Sequence, residues 1–399
     1  MICTNSWRSV LYSKCSSIFV KALKSYRTVK GFKVFFWFLY KCFAFYCLLV
    51  YALTYWVPTS HWVAGFLMMS LPLTVIANFI FALLWLLADR KKAIMPVILI
   101  ILGCIFLPRT YQFGEKTQES VTSSGKTKTF KVLNYNVYGF WVVPNHARKD
   151  DAKTDEMKQW LIGQDADILC MPEFYSDTRL SSFNNVEFFN DNGYKYYNLL
   201  SGKNRKGVPF HTLAIFSRYP IIKHKEEAFE LQNGLMFADI VVKKDTIRMI
   251  GVHLYSMSLR LKSLVTQKEI AGIKRETKTT FSKMKKGFST RASEIKLMET
   301  WIRESPYPVI VCGDFNETPY SYFYGQTRSL LKNAFEEKGS GFGFTYNRIP
   351  WFIRIDNQFY NDKSLDLLDF TTLGNIRFSD HNPSIGTYSV KREPSEEGK

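Results

Sequence analysis

Little in this 399-residue chain looks like a metal finger or a cross-linked module. Its seven cysteines have no regular spacing and no Cys-x-x-Cys pair, so neither a zinc finger nor a disulfide framework is signalled. Cys170 and Cys312 lie inside apolar runs and read as buried thiols. Acidic residues are nearly missing from positions 1–109, where Asp89 stands alone against twelve Lys and Arg. Of the net charge of +18, +11 therefore sits in that stretch. The segment 260–291 accounts for the rest, with ten basic residues against Glu269 and Glu276. Elsewhere the chain is nearly neutral, which removes global basicity as an argument for a nucleic-acid partner. There is no fixed-period repeat, no aromatic ladder of the RNA-binding kind, and no other base-reading motif.

What is present first is hydrophobic length. Residues 1–33 are basic and free of acids; Val34–Val57 then runs with Lys41 as its only charge. Trp62–Ala88 is uncharged, and after Asp89-Arg90-Lys91-Lys92 a shorter apolar run covers Ala93–Leu107. A bilayer core needs roughly 20 residues of helix, so the first two runs read as transmembrane helices and the third is marginal. The apolar stretch starts too late and runs too long for a signal peptide. Residues 1–33 and the cluster Arg90-Lys91-Lys92 are basic, while Pro58–His61 is uncharged, so the two basic regions are expected in the cytoplasm. If Ala93–Leu107 also crosses, everything after it is extracytoplasmic, the reading we expect; if it only lies on the surface, the catalytic part stays in the cytoplasm. We therefore expect residues 1–109 to form an all-α membrane anchor contacting the lipid bilayer, and residues 110–128, rich in Gly, Ser and Thr, to be a linker. Residues 391–399 read as a polar tail.

Between them, residues 129–390 alternate short apolar runs with helical patterns. Strands are expected at Phe130–Val137, Ile168–Met171, Leu213–Ser217, Phe237–Val242, Ile247–His253, Val309–Cys312 and Ser384–Val390, with helices near 152–163, 260–304 and 320–333. This is an α/β pattern of two packed sheets with outer helices, a four-layer α-β-β-α sandwich.

Polar residues recur where these strands end. Val309–Cys312 leads into Gly313-Asp314-Phe315-Asn316, with Gly313 expected to begin a turn and the side chains of Asp314 and Asn316 expected to share one side. Asn136, Glu173 and His253 end three other runs; Asp356 lies in an apolar setting, and Ser379-Asp380-His381 precedes the last strand. Singly, each has a plain structural explanation: a turn, a cap, a satisfied core histidine. Together they give carboxylates and amides suited to a hard divalent cation, Mg²⁺ or Mn²⁺, with two histidines suited to proton transfer and phosphoryl charge.

In this order, Asn136, Pro172-Glu173, Leu213–Ile221, Val252-His253-Leu254, Gly313-Asp314-Phe315-Asn316, Arg354-Ile355-Asp356 and Ser379–Pro383 resemble the endonuclease/exonuclease/phosphatase family, which has a DNase I-like fold. The resemblance covers about residues 129–390. It implies Glu173 as the main metal ligand, with Asn136 and Asp380 close to the metal. It implies that Asp314 and Asn316 position water and phosphate, and that His381, oriented by Asp356, binds or protonates a phosphate oxygen. His253 would face the phosphate from the other side, and no general base is assigned. One departure concerns His253: nuclease members carry an acidic residue or Tyr near strand 213–217 as support, where this chain has His211 and Thr212. The implied activity is hydrolysis of a phosphodiester, in nucleic acid or phospholipid; an inactive binding protein or a phosphomonoesterase is the alternative. The basic segment 260–291 is a substrate chooser, a membrane contact or a solvated helix.

Overall fold

The computed structural model describes residues 6–114, 129–141, 152–203, 209–229, 233–255, 270–348 and 352–391. The chain forms two compact units: Met1–Ala52 with Leu71–Leu102, and Leu53–Ser70 with Gly103–Lys399.

The first unit contains most of α1 (Ser6–Trp56), then α3 (Leu71–Ala88) and α4 (Ile94–Gly103); the intervening α2 (Trp62–Met69) belongs to the second. Residues Gly31–Trp56 and Leu71–Ala88 are long and apolar enough to cross a membrane, whereas Ile94–Arg109 is shorter. The expected single run Trp62–Ala88 is therefore two helices. Pro72 lacks the amide that would continue the ladder and falls in the first turn of α3, where no partner is required. Tyr40 Oη donates to Asn78 Oδ1 across α1 and α3 at 2.9 Å, and Lys33 Nζ donates to the Ala88 carbonyl, so the two helices run antiparallel. Asn78 and Thr74 are buried, while Phe45 and Leu87 are 72% and 88% exposed.

The second unit is built on two six-stranded sheets. In chain order the strands are β1 (Gln112–Phe113), β2 (Thr129–Asn134), β3 (Ile168–Pro172), β4 (Tyr196–Lys203), β5 (Pro209–Ser217), β6 (Ile221–Ala228) and β7 (Gly234–Val242). They continue with β8 (Asp245–His253), β9 (Val309–Asp314), β10 (Lys332–Asn333), β11 (Ser340–Gly341), β12 (Asp356–Tyr360), β13 (Leu365–Thr372) and β14 (Ser384–Val390). One sheet has the order β13-β14-β2-β3-β5-β4, the other β10-β12-β9-β8-β7-β6; β2·β3 and β8·β9 are the parallel pairs. Its helices are α5 (Ala152–Gly163), α6 (Asn185–Asp191), α7 (Ile270–Arg303), α8 (Tyr322–Leu330) and α9 (Ala334–Lys338). The expected residues 260–269 of the long helix lie outside the described residues, as do the tail 392–399 and positions 115–128.

Strand alternation divides side chains between layers. Ile310 and Cys312 join Val132, Ile168 and Cys170 between the sheets, whereas Val309 and Val311 pack outward with Ile295, Met298 and Trp301 of α7. Leu169 and Met171 pack outward on the other sheet with Met157 and Leu161 of α5. Both faces of the central strands are covered, which is why they read as unbroken apolar runs. Cys170 and Cys312 are free thiols from facing sheets, with Cys170 Sγ set 3.5 Å from the Cys312 carbonyl oxygen.

Two expectations change here. Residues 110–114, placed in the linker, are packed: β1 pairs with β11, and the Thr110 and Tyr320 hydroxyls are hydrogen-bonded. Gly313 does not open a turn; it lies within β9, opposite Val252 and Asn357. A Cβ there would stand 1.9 Å from the Val252 carbonyl oxygen, at φ 145°, so only glycine lets β9 press this closely on β8.

Candidate active site

The site forms where the ends of both sheets meet. From the first sheet, Asn136 follows β2 and Glu173 follows β3, while His381 precedes β14; the second gives His253 and Asp314 at the ends of β8 and β9, and Asp356 at the start of β12. Register brings them together: His253 pairs with Asp314, and Asp314 with Asp356.

Asn136 is the bridge between the sheets. Its Nδ2 donates to Glu173 Oε1 and to Asp314 Oδ2, both at 3.0 Å, and its own carbonyl accepts from Ser379 Oγ at 2.7 Å. Glu173 holds a left-handed backbone, φ 55°, and its side chain keeps 28% exposure while its neighbours are buried. Its Oε1 lies 4.0 Å from His253 Nε2. Asp314 and Asn316 do not share a strand face as expected. Instead Asp314 Oδ1 accepts the Asn316 amide in an Asx turn, Asn316 takes φ 50°, and its Nδ2 donates to the Leu254 carbonyl. The Asp/Asn turn and the polar site are one feature.

His381 is fixed on the opposite side. Its Nδ1 is 2.7 Å from Asp356 Oδ2, its Nε2 is 3.7 Å from Asp314 Oδ2, and Tyr346 packs edge-on against its ring. Burial works against the imidazolium, but Asp356 and then Asp314 outweigh it and push the His381 pKa up to about 10. Burial, with Asp356 adding to it, raises the Asp314 pKa, while His381 and His253 pull the other way. Asp380 is also raised by burial; His381 opposes this and Glu173 adds to it. Asp380 Oδ2 pairs with Arg348 Nε at 3.3 Å, and Arg348 lies over the Tyr138 ring.

Among the described residues, two groups of acids and histidines could hold a metal ion: Glu173, His253 and Asp314; and Asp314, Asp356 and His381. Asp314 is common to both. Asp380, expected beside the metal, is in neither of these groups, although the charge of Glu173 reaches it. The doubt over His253 has a structural counterpart, because among the described residues its buried Nδ1 meets no hydrogen-bond partner.

Several contributors carried no sequence signal. Thr345 Oγ1 accepts the amides of Ile355 and Asp356 and so sets the start of β12. Arg291 of α7, read only as part of a basic run, is buried with Glu317 at 2.6 Å and donates through Nε and Nη2 to the Tyr255 carbonyl. It thereby ties the chain just beyond His253 to the chain just beyond Asn316. Tyr346 and Arg348 lie in a segment without periodicity, and nothing in the sequence marked them.

No curated protein matches the chain. Among solved structures it is similar to an endonuclease/exonuclease/phosphatase from Beutenbergia cavernae (13% identity, TM-score 0.47, 66% of this chain and 72% of that one). Another from Bacteroides vulgatus gives 14% identity and TM-score 0.47, covering 66% and 99%. Sphingomyelinase C from Streptomyces griseocarneus gives 14% and 0.47, covering 65% and 99%. Residues 33–110 match the model of a domain of unknown function. Residues 133–381 match the model of the endonuclease/exonuclease/phosphatase family, and the chain belongs to that family.

Proposed function

We propose that the chain is a membrane-tethered, metal-dependent phosphoesterase that hydrolyses a phosphodiester of nucleic acid or of a lipid head group. The observation that carries this reading is the convergence of Asn136, Glu173, His253, Asp314, Asp356 and His381 from six separate chain segments onto one point. The donors fit Mg²⁺ or Mn²⁺: the carboxylates of Glu173 and Asp314 and the carboxamide of Asn136 are hard oxygen ligands, and partly exposed Glu173 is the one a cation meets first. Such an ion, when bound, polarises the phosphoryl oxygen and offsets its charge.

The chain's own residues supply the rest. Asp356 occupies His381 Nδ1 and leaves Nε2 to donate a hydrogen bond to a phosphate oxygen. With its pKa raised, His381 carries that proton throughout the neutral range. Asp314 and Asn316 position the attacking water, and Asp380 stands with Arg348 at the edge of the site. The test is turnover of a chromogenic phosphodiester by the full-length protein with Mg²⁺. Glu173→Gln should lower the rate by at least ~10²-fold with the thermal transition unchanged, since a ligand charge is lost at a strand end. Undiminished, metal-responsive turnover would remove Glu173 from the site. Plasmid DNA, RNA and phospholipid vesicles at matched phosphate then separate the carriers, and hydrolysis of monoesters alone would favour the phosphomonoesterase alternative.

The same proposal includes sidedness. Lys33 lies beside Ala88, so the basic turn after α3 is at the amino-terminal end of the α1 span. Arg109 Nη1 donates to the Thr54 carbonyl at the other end. Between these ends α4 supplies ten residues at ~1.5 Å and the 3-10 helix Cys104–Arg109 six at ~2.0 Å, about 27 Å in all. The eighteen residues of α3 cover the same distance. Three crossings then put the catalytic unit on the side away from the basic amino terminus, outside the cytoplasm.

A further inference from the structure

The long helix α7 has two unlike stripes. Met284, Phe288, Arg291, Ile295 and Met298 are buried against the catalytic unit. Lys274, Lys278, Phe281 and Lys285 follow the spacing i, i+4, i+7, i+11 and form one exposed stripe. Phe281 is 46% exposed despite its size, and the only acid between 274 and 286 is Glu276.

This basic stripe meets α2. Phe281 stacks on Phe66 at 4.7 Å and meets Trp62 edge-on at 5.6 Å, while Lys285 Nζ lies 4.8 Å over the Trp62 ring. Phe288 reaches the same helix; a Cβ at Gly65 would come within 2.9 Å of its ring. Helix α2 is tied at both ends to apolar helices: five residues separate it from the end of α1 at Trp56, and Ser70 alone separates it from α3 at Leu71. Tyr55 and Trp56, 59% and 72% exposed, close α1 with the aromatic pair expected at a membrane–water interface.

We propose that Lys274, Lys278, Phe281 and Lys285, together with Trp62 and Phe66, form a face that seats the catalytic unit on an anionic lipid surface. This rests on the reading that α1 and α3 cross a bilayer. Chain connectivity then holds α2 at the head-group level, and the aromatic contacts hold the cationic stripe beside it. A cation near an anionic surface gains a favourable field that falls off within a Debye length, so lysines held at that level, and not those elsewhere on the molecule, report lipid charge. The aromatic rings supply the apolar part of an interfacial contact, as in other surface-lying amphipathic helices.

The test uses the full-length chain in phosphatidylcholine vesicles with or without phosphatidylglycerol, each carrying a trace of lipid with a photoreactive head group. Adducts are mapped by peptide mass spectrometry, and those within Leu71–Ala88 serve as the internal standard for insertion. Adducts within 274–286, relative to that standard, should rise about fivefold or more when phosphatidylglycerol is present, the factor one cation at such a surface is worth. Replacing Lys274, Lys278 and Lys285 together by Gln should abolish the rise while leaving the standard unchanged. Adducts in Leu71–Ala88 with none in 274–286, or equal labelling from both vesicles, overturns the proposal. No adducts in either region overturns the membrane reading with it. Neither readout depends on turnover, so loss of the phosphoesterase assignment would leave this result standing on its own.

Discussion

The two histidines of the site are held in opposite ways. His381 has Asp356 at 2.7 Å on Nδ1, Asp314 beyond Nε2, and a tyrosine ring against its edge. His253 is equally buried, yet its Nδ1 has no partner among the described residues and its nearest carboxylate stands at 4.0 Å. A carboxylate behind an imidazole fixes both its tautomer and its charge; without one the ring is free to change either. His381 is thus held as a cation by Asp356 and Asp314, whereas His253 has no such partner among the described residues.

The largest effect expected from this contrast is His381→Asn, which removes the cation and should lower phosphodiester turnover by ~10²–10⁴-fold. Single-turnover rates of His253→Asn measured alongside would show whether the fixed or the free ring carries more of the reaction. A loss for His381→Asn smaller than tenfold would end the assignment.

Asp356→Asn comes next, at ~10–100-fold, the range for groups that orient others. Its sign in pH is specific. The His381 pKa is raised to about 10, so its stabilising contribution is complete below its ordinary value near 6.5 and lost as pH rises through about 10. Without Asp356 the alkaline limb of activity, and the alkaline fall in the melting temperature, should both move to lower pH. An unmoved limb would mean that another group governs it.

The smallest effect on turnover, about tenfold or less, is expected for Arg291→Lys. The charge beside Glu317 survives, but the planar fork that also grips the Tyr255 carbonyl does not. A looser frame would lower kcat and leave metal affinity unchanged, as measured by metal titration of the folded protein. A shift in metal affinity instead would place Arg291 closer to the ligands than its contacts imply.

How much of this could be read from the chain depends on burial. Strands β3 and β9 were legible because apolar residues on both faces leave a continuous signal, and β2 and β14 because buried and less buried residues alternate. The long strands that escaped, β4, β6 and β13, lie at sheet edges, and β6 (Ile-Ile-Lys-His-Lys-Glu-Glu-Ala) is almost wholly exposed. Strand β12 escaped for another reason: it is central and buried but polar, with Gln358 donating to Ser384 and accepting from the Tyr388 hydroxyl. Hydropathy cannot distinguish such a strand from a loop. In the site, residues at strand ends were visible because the strands were. Thr345, Tyr346, Arg348 and the inward role of Arg291 were not, since their positions come from tertiary contacts alone. Likewise the composition of Trp62–Ala88 concealed a break that Pro72 had marked.

Glu173 and Asn316 hold left-handed backbone conformations that non-glycine residues seldom adopt, at φ 55° and 50°. Each is over-determined by its surroundings: the Glu173 amide donates to the Thr212 carbonyl, and Asn316 is held at both its amide and its side chain. The unfavourable torsions are offset when the sheets assemble, long before any ligand arrives. The backbone at both positions is therefore fixed by the fold itself. The mould is cast by folding, and what enters meets a shape already set.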